Sequence, residues 1–279
     1  MPAPEGCDRN ARYAALPPNS ARARSPIFSV MPPTKSPHAL WTSLRADLRA
    51  AADPAVAERY RTIAPTKNTV LGIAVPVLRA KVKEFVSANR QLTLADAARL
   101  GDLAFASGCR EEMLCATFFL ARFKAKFEAG LWAKVDGWIE SIDNWETCDQ
   151  LAMGVVGELI GRAKEPQRGE WVRDLLAWAT APNPWRRRCA VATTTVLNQK
   201  GRADAETTLR VCERAINDRD TSVAKAVGWA LREACKSRPD DVFALLKKHR
   251  AVLSRTLLRE ASAKLSAAQR AALGVYARG

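Results

Sequence analysis

The sequence predicts an all-α protein built as a curved helical-repeat solenoid with a basic concave face. Three observations predict it. Apolar residues recur with a spacing near 3.6 through almost all of the chain after His38. The segments between these runs are short and carry Pro, Gly, Asn or Asp. Trp145, Trp185 and Trp229, each placed in the first half of an expected helix, recur at intervals of 40 and 44 residues. Of the net charge of +15, residues 1–36 contribute +3 and the rest +12, so the basicity belongs to the folded body. Such a surface suits an anionic partner, nucleic acid first and an acidic membrane surface second.

Residues 1–36 are rich in Pro, Ser, Arg and Ala and show no sustained period. They read as a disordered tail, or as an extension ahead of a true start at Met31. Their Arg and Ser bias has the look of a transit peptide, which Glu5 and Asp8 argue against. The folded domain is expected over 37–279. Its helical runs, in order, are 40–52, 56–64, 75–88, 94–106, 110–127, 145–163, 171–181, 184–200, 203–216, 222–236, 241–249 and 253–265. Pro54, Pro76, Pro166, Pro184 and Pro239 stand at expected first turns, where a missing N–H costs little. The β-branched run 192–196 is the one strand-like patch, and its flanks are helical.

A period of about 40–47 residues with two or three helices per unit is the signature of HEAT-like (armadillo-type) arrays. Their inner helices line the concave side. Seven cysteines, none in a C-x-x-C pair, suit reduced, buried thiols and a reducing cytoplasm. The two histidines, His38 and His249, lie far apart, so no His/Cys metal site is expected. No apolar run approaches the roughly 20 residues that span a bilayer.

The segment SIDNWETCDQLA, 141–152, holds the most informative residues. Asp143 reads as an N-cap with Glu146 three residues on, a capping box that gives Glu146 a structural task. Asp149 has no such task. It stands beyond the first turn, where Asp forms helix poorly, and it shares a face with Trp145 at i, i+4. In NPWRRRCAV, Asn183 caps and Trp185 opens a helix on which Arg186, Arg187 and Arg188 spread over about 200°. They read either as phosphate contacts or as partners for acids of adjacent repeats. In SVAKAVGWALRE, Gly228 precedes Trp229 and Lys225 stands one turn before it.

Taken in order, AERY…LGIAVPVLR, SIDNWETCDQLA, NPWRRRCAV and VAKAVGWALRE resemble the AlkD-type DNA alkylation repair family over about residues 40 to 260. These are HEAT-like glycosylases that excise N3- and N7-alkylated purines. The resemblance implies that Asp149 is the catalytic aspartate and that Trp145 and Trp229 are the active-site tryptophans. It implies that Arg188 holds the DNA backbone and that Tyr60 is the aromatic near the lesion. It leaves Arg186 and Arg187 open, as it does the Cys148 neighbour of the aspartate. Trp185 and Lys225 join the expected DNA-contacting set from their helices. The implied partner is double-stranded DNA containing alkylated purines, bound by a monomer, with no cofactor. Nearby Lys and Arg are expected to keep Asp149 ionised at neutral pH. A non-catalytic HEAT-like module that binds DNA, another nucleic acid or a protein is the alternative.

Overall fold

The computed structural model describes residues 36–199 and 201–276, and the expected tail at 1–36 lies outside them except for Ser36, which caps the first helix. Helices α1 (Pro37–Ala50), α2 (Pro54–Ile63) and α3 (Val75–Ala88) open the chain. Ten helices then alternate between two layers. One layer holds α4 (Leu94–Ala106), α6 (Gly130–Trp138), α9 (Gln167–Trp178), α11 (Ala205–Arg214) and α13 (Pro239–Lys248). The other, which we call inner, holds α5 (Arg110–Leu120), α7 (Trp145–Leu151), α10 (Pro184–Val196), α12 (Thr221–Ala234) and α14 (Arg255–Ala261). Short α8 (Gly157–Arg162) continues α7, and α15 (Ala267–Ala272) ends the array. Among the described residues there is no strand, only one isolated bridge between Thr69 and Cys109.

Each inner helix packs on the next, α5 on α7, α7 on α10, α10 on α12 and α12 on α14. Their first residues, 110, 145, 184, 221 and 255, recur every 34 to 39 positions, and this is the true repeat. The tryptophan interval is not. Trp145 and Trp185 open their helices, but Trp229 is the ninth residue of α12, so its expected place in the first half is corrected.

Burial explains the layering. Every residue of α5 is buried because it lies between α3, α4 and α7, and α10 is buried from Arg188 to Val196 between α7, α12 and the outer α9 and α11. The strand-like run is therefore a buried helix. Thr194 and Thr195 satisfy their hydroxyls on the Val191 and Ala192 carbonyls. In the outer layer Trp132 of α6 stacks between Trp171 and Trp178 of α9, at 4.9 and 5.1 Å between ring centroids.

Several boundaries differ from expectation. The 110–127 run leaves α geometry at Leu120 and finishes as a 3-10 turn. Helices α6 and α15 fall outside the expected runs; Gly130 and Gly137 dilute the helical signal of α6. Pro54, Pro76, Pro184 and Pro239 do sit in first turns, whereas Pro166 stands just ahead of α9. Six cysteines, Cys109, Cys115, Cys148, Cys189, Cys212 and Cys235, are buried free thiols. No helix among the described residues is long and apolar enough to cross a membrane.

Between α7 and α8 the chain makes a π-helical turn at Ala152–Val156, and Gly157 follows it against α10. A Cβ on Gly157 would lie 2.1 Å from Val196 Cγ1 and 3.1 Å from the Thr193 carbonyl oxygen. Gly157→Ala is expected to lower stability by about 1–3 kcal/mol through overpacking. Urea unfolding checks this, and an unchanged midpoint would mean that the two helices part freely there.

Candidate active site

Helix α7 begins where Asn144 accepts the backbone N–H groups of Glu146 and Thr147, at 3.1 and 3.0 Å. The expected cap at Asp143 is thus corrected by one residue. Asp143 instead accepts from the Thr66 hydroxyl, from Lys67 N at 2.6 Å and from Asn68 Nδ2 at 3.0 Å. It ties the loop after α2 to the start of α7. Glu146 is not part of a capping box either. Its carboxylate takes the Nε of buried Arg110 at 2.7 Å. The same guanidinium lies 4.0 Å over the Tyr60 ring and bonds Glu111, which in turn accepts the backbone N–H groups of Leu71, Gly72 and Ile73. A chain of charges therefore links Tyr60 to α7.

Asp149 is nine-tenths buried and Trp145, one turn before it, is 37% exposed. The indole N–H of Trp145 donates to the Ile63 carbonyl oxygen at 3.1 Å, which fixes the ring beside the end of α2. The Asp149 carboxylate meets Arg188 of α10 in a fork, with Nε 2.9 Å from Oδ1 and Nη2 2.7 Å from Oδ2. The remaining Nη1 of Arg188 donates to the Ser222 carbonyl of α12. Ser222, Lys225 and half-buried Trp229 share one face of α12 at i, i+3 and i+7. Lys225 is exposed and forms no ion pair among the described residues. Cys148 is packing at the α7–α10 contact, its thiol donating to the carbonyl of half-buried Trp185 at 3.5 Å.

Each of the three arginines meets an acid of the chain. Arg186 bonds Asp136 and Glu140. Arg187 bonds Asp218 and the Ala181 and Pro182 carbonyls. Arg188 bonds Asp149 and Ser222. All three guanidiniums are engaged by the chain itself, so the reading as partners of acids from neighbouring repeats is the observed one. The salt dependence of DNA binding is therefore expected to keep its slope in Arg188→Met, which removes the charge. A loss of about one unit would instead mean a phosphate contact.

Sequence reasoning missed Arg110 and Glu111. Their partners Glu146, Leu71, Gly72 and Ile73 lie 36 to 40 residues away, beyond the reach of local spacing. It also missed Arg259, which lines a cleft of about 530 Å³ between α12 and α14 with Lys225, Thr221 and Thr256.

Burial pushes the Asp149 carboxyl above its ordinary 3.8, and the hydrogen bonds and charge of Arg188 draw it part of the way back. One arginine, in place of a surrounding set of cations, supports the anion. The sign follows. A function that needs the carboxylate is present at high pH and is lost on acidification through a pKa above the ordinary one. A single-turnover pH profile is expected to show an acidic limb centred above 3.8; a flat profile down to that pH would contradict it.

Fold and site together define a class, a helical-repeat protein whose inner helices carry a buried acid–arginine pair one helical turn from a tryptophan. Residues 44–265 match the family described as DNA alkylation repair enzyme, and the chain belongs to that family. Among solved structures it is similar to "Predicted DNA alkylation repair enzyme from Enterococcus faecalis". The TM-score is 0.63 at 19% identity, over 76% of this chain and 95% of that one. At that identity the likeness is one of fold. No curated protein matches.

Proposed function

We propose that the protein hydrolyses the N-glycosidic bond of cationic N3- or N7-alkylated purines in duplex DNA, as a monofunctional glycosylase. The observation that carries this reading is the Asp149 carboxylate, forked by Arg188 and one helical turn from Trp145, in a DNA alkylation repair chain. An alkylated purine is already positively charged and leaves readily. As the bond breaks, its electron pair moves to the purine and positive charge grows on the deoxyribose. A fixed carboxylate in a desolvated setting stabilises that charge. Asp149 also orients the water that adds at the sugar carbon, and the water's proton leaves to Asp149 or solvent. The faces of Trp145 and Trp229 attract the same cation and exclude solvent. The scheme calls on no metal and no cofactor, because the leaving group carries its own activation.

The protein acts in this reading as a monomer on double-stranded DNA in the cytoplasm. The forked pair also favours a second reading, in which Asp149 only fastens α7 to α10 in a DNA-binding module. An end-labelled duplex with one 7-methylguanine separates them. Strand scission after hot alkali, and not before it, supports the glycosylase. Bound DNA with no alkali-labile site supports the module, and scission without alkali would contradict monofunctional chemistry.

A further inference from the structure

We infer that Arg187 is a positioning residue for the acid: its clamp on Asp218 fixes the corner between α11 and α12, and through the Ser222 carbonyl that corner holds Arg188 against Asp149. The inference rests on the reading of Asp149 as the group that acts on the sugar, and it gives a task to an arginine outside that chemistry. Arg187 and Arg188 are neighbours on α10, about 100° apart around the helix, yet both end on residues 218–222. Arg187 takes the Asp218 carboxylate in a fork, with Nε 2.5 Å from Oδ2 and Nη2 3.1 Å from Oδ1. Its Nη1 donates to the Ala181 and Pro182 carbonyls, each at 2.9 Å. One guanidinium thus joins the corner before α10 to the corner before α12.

From Asp218 the hold passes to Ser222 by short steps. Asp218 Oδ1 accepts the Asp220 N–H at 2.9 Å. Asp220 Oδ1 accepts the N–H groups of Ser222 and Val223 at 2.8 and 3.3 Å, together with the Ser222 hydroxyl, and so caps α12. The Ser222 carbonyl takes Nη1 of Arg188, the nitrogen that the fork to Asp149 leaves over. The Asp218 side chain is 8% exposed, so water is a poor substitute for the clamp once it is cut. Without the clamp the corner shifts, Ser222 moves with it, and Arg188 loses the anchor that aims its fork.

Asp149 reports that shift, because Arg188 is its one charged partner among the described residues. Helices α5 and α10 and the π-helical turn pack against α7, and the turn carries no charge. Of the other charged groups there, Arg110 is bonded to Glu111 and to Glu146 of α7, Glu112 to Arg45, and Arg186 to Asp136 and Glu140. Burial raises the Asp149 carboxyl and Arg188 opposes it. A looser fork leaves burial less opposed.

Carbon-13 NMR of the aspartate carboxyls in the free protein reads that titration without substrate, with Asp149→Asn to assign the signal. Arg187→Met is expected to raise the Asp149 pKa and to slow base release about tenfold with DNA binding unchanged, since a misplaced group can cost up to about a hundredfold. Asp218→Ala decides the sign. Removing an anion would by charge alone lower the pKa, whereas losing the clamp raises it. The double variant shifts no further than either single one, because the two residues act as one unit. Arg186→Met, which cuts a clamp to Asp136 and Glu140 instead, leaves the titration in place. All variants are read at a temperature where circular dichroism shows them folded. A wild-type titration in Arg187→Met would overturn the inference, as would undiminished release by it where the wild type is active. A lowered pKa in Asp218→Ala, or an equal rise in Arg186→Met, would also overturn it. If the wild type releases no base while the titrations move as expected, the glycosylase reading fails and the positioning stands.

Discussion

Asp149→Asn is expected to slow the release of an alkylated purine by about a hundredfold or more, the scale seen when a preorganised group facing a developing charge is removed. Asn keeps the size of the side chain and removes only its charge. The argument is electrostatic. Asp149 is nine-tenths buried, so a positive charge arising on a nearby sugar meets a carboxylate that water screens poorly. Arg188 faces the same carboxylate through two hydrogen bonds, and it fixes the orientation of the anion before any substrate arrives. The substitution leaves Arg188 as a buried cation with a neutral neighbour, and this costs stability of about 3–5 kcal/mol. Rate and stability must therefore be read separately, at a temperature where circular dichroism shows both proteins folded. A variant that is folded and fast would assign the pair to structure alone.

The second large effect is expected at Arg110. The side chain is 1% exposed, yet it bonds Glu146 through Nε and Glu111 through Nη1, both at 2.7 Å. Arg110→Met keeps much of the volume and removes the cation between two acids. Glu111 retains its three backbone donors from Leu71, Gly72 and Ile73, but Glu146 loses its ion-pair partner. The expected loss of stability is about 3–5 kcal/mol, because a broken buried pair leaves an uncompensated charge. Urea unfolding measures it. A loss below about 1 kcal/mol would mean that water reaches the acids and that the network does not hold the α2–α7 junction. The Gly72 turn adds to the same constraint. Its φ is +83°, and a Cβ there would lie 2.0 Å from the Asp53 carbonyl oxygen.

Helical periodicity made the all-α class legible, and four short segments made the family legible. Asp149 stood out because helix physics gave it no work. Other features were hidden for definite reasons. The partners of Arg186 and Arg187, which are Asp136, Glu140 and Asp218, lie 31 to 50 residues away, so local spacing holds no sign of them. Asp143 and Asn144 are both good caps, and the choice between them depended on a loop 75 residues earlier that claims Asp143 through Asn68. The interval between Trp185 and Trp229 looked like a repeat, but it mixes positions two and nine of their helices. Repeats are set by helix starts and packing rather than by one residue type.

The most direct measurement is of the free base itself. Wild-type protein and Asp149→Asn, each in excess over a duplex holding one 7-methylguanine, are sampled over time, and the released purine is quantified by mass. The account predicts free 7-methylguanine from the wild type, in step with abasic sites, and about a hundredfold slower release from the folded variant. Equal release by the two proteins, or none from a wild type that binds the duplex, would contradict it.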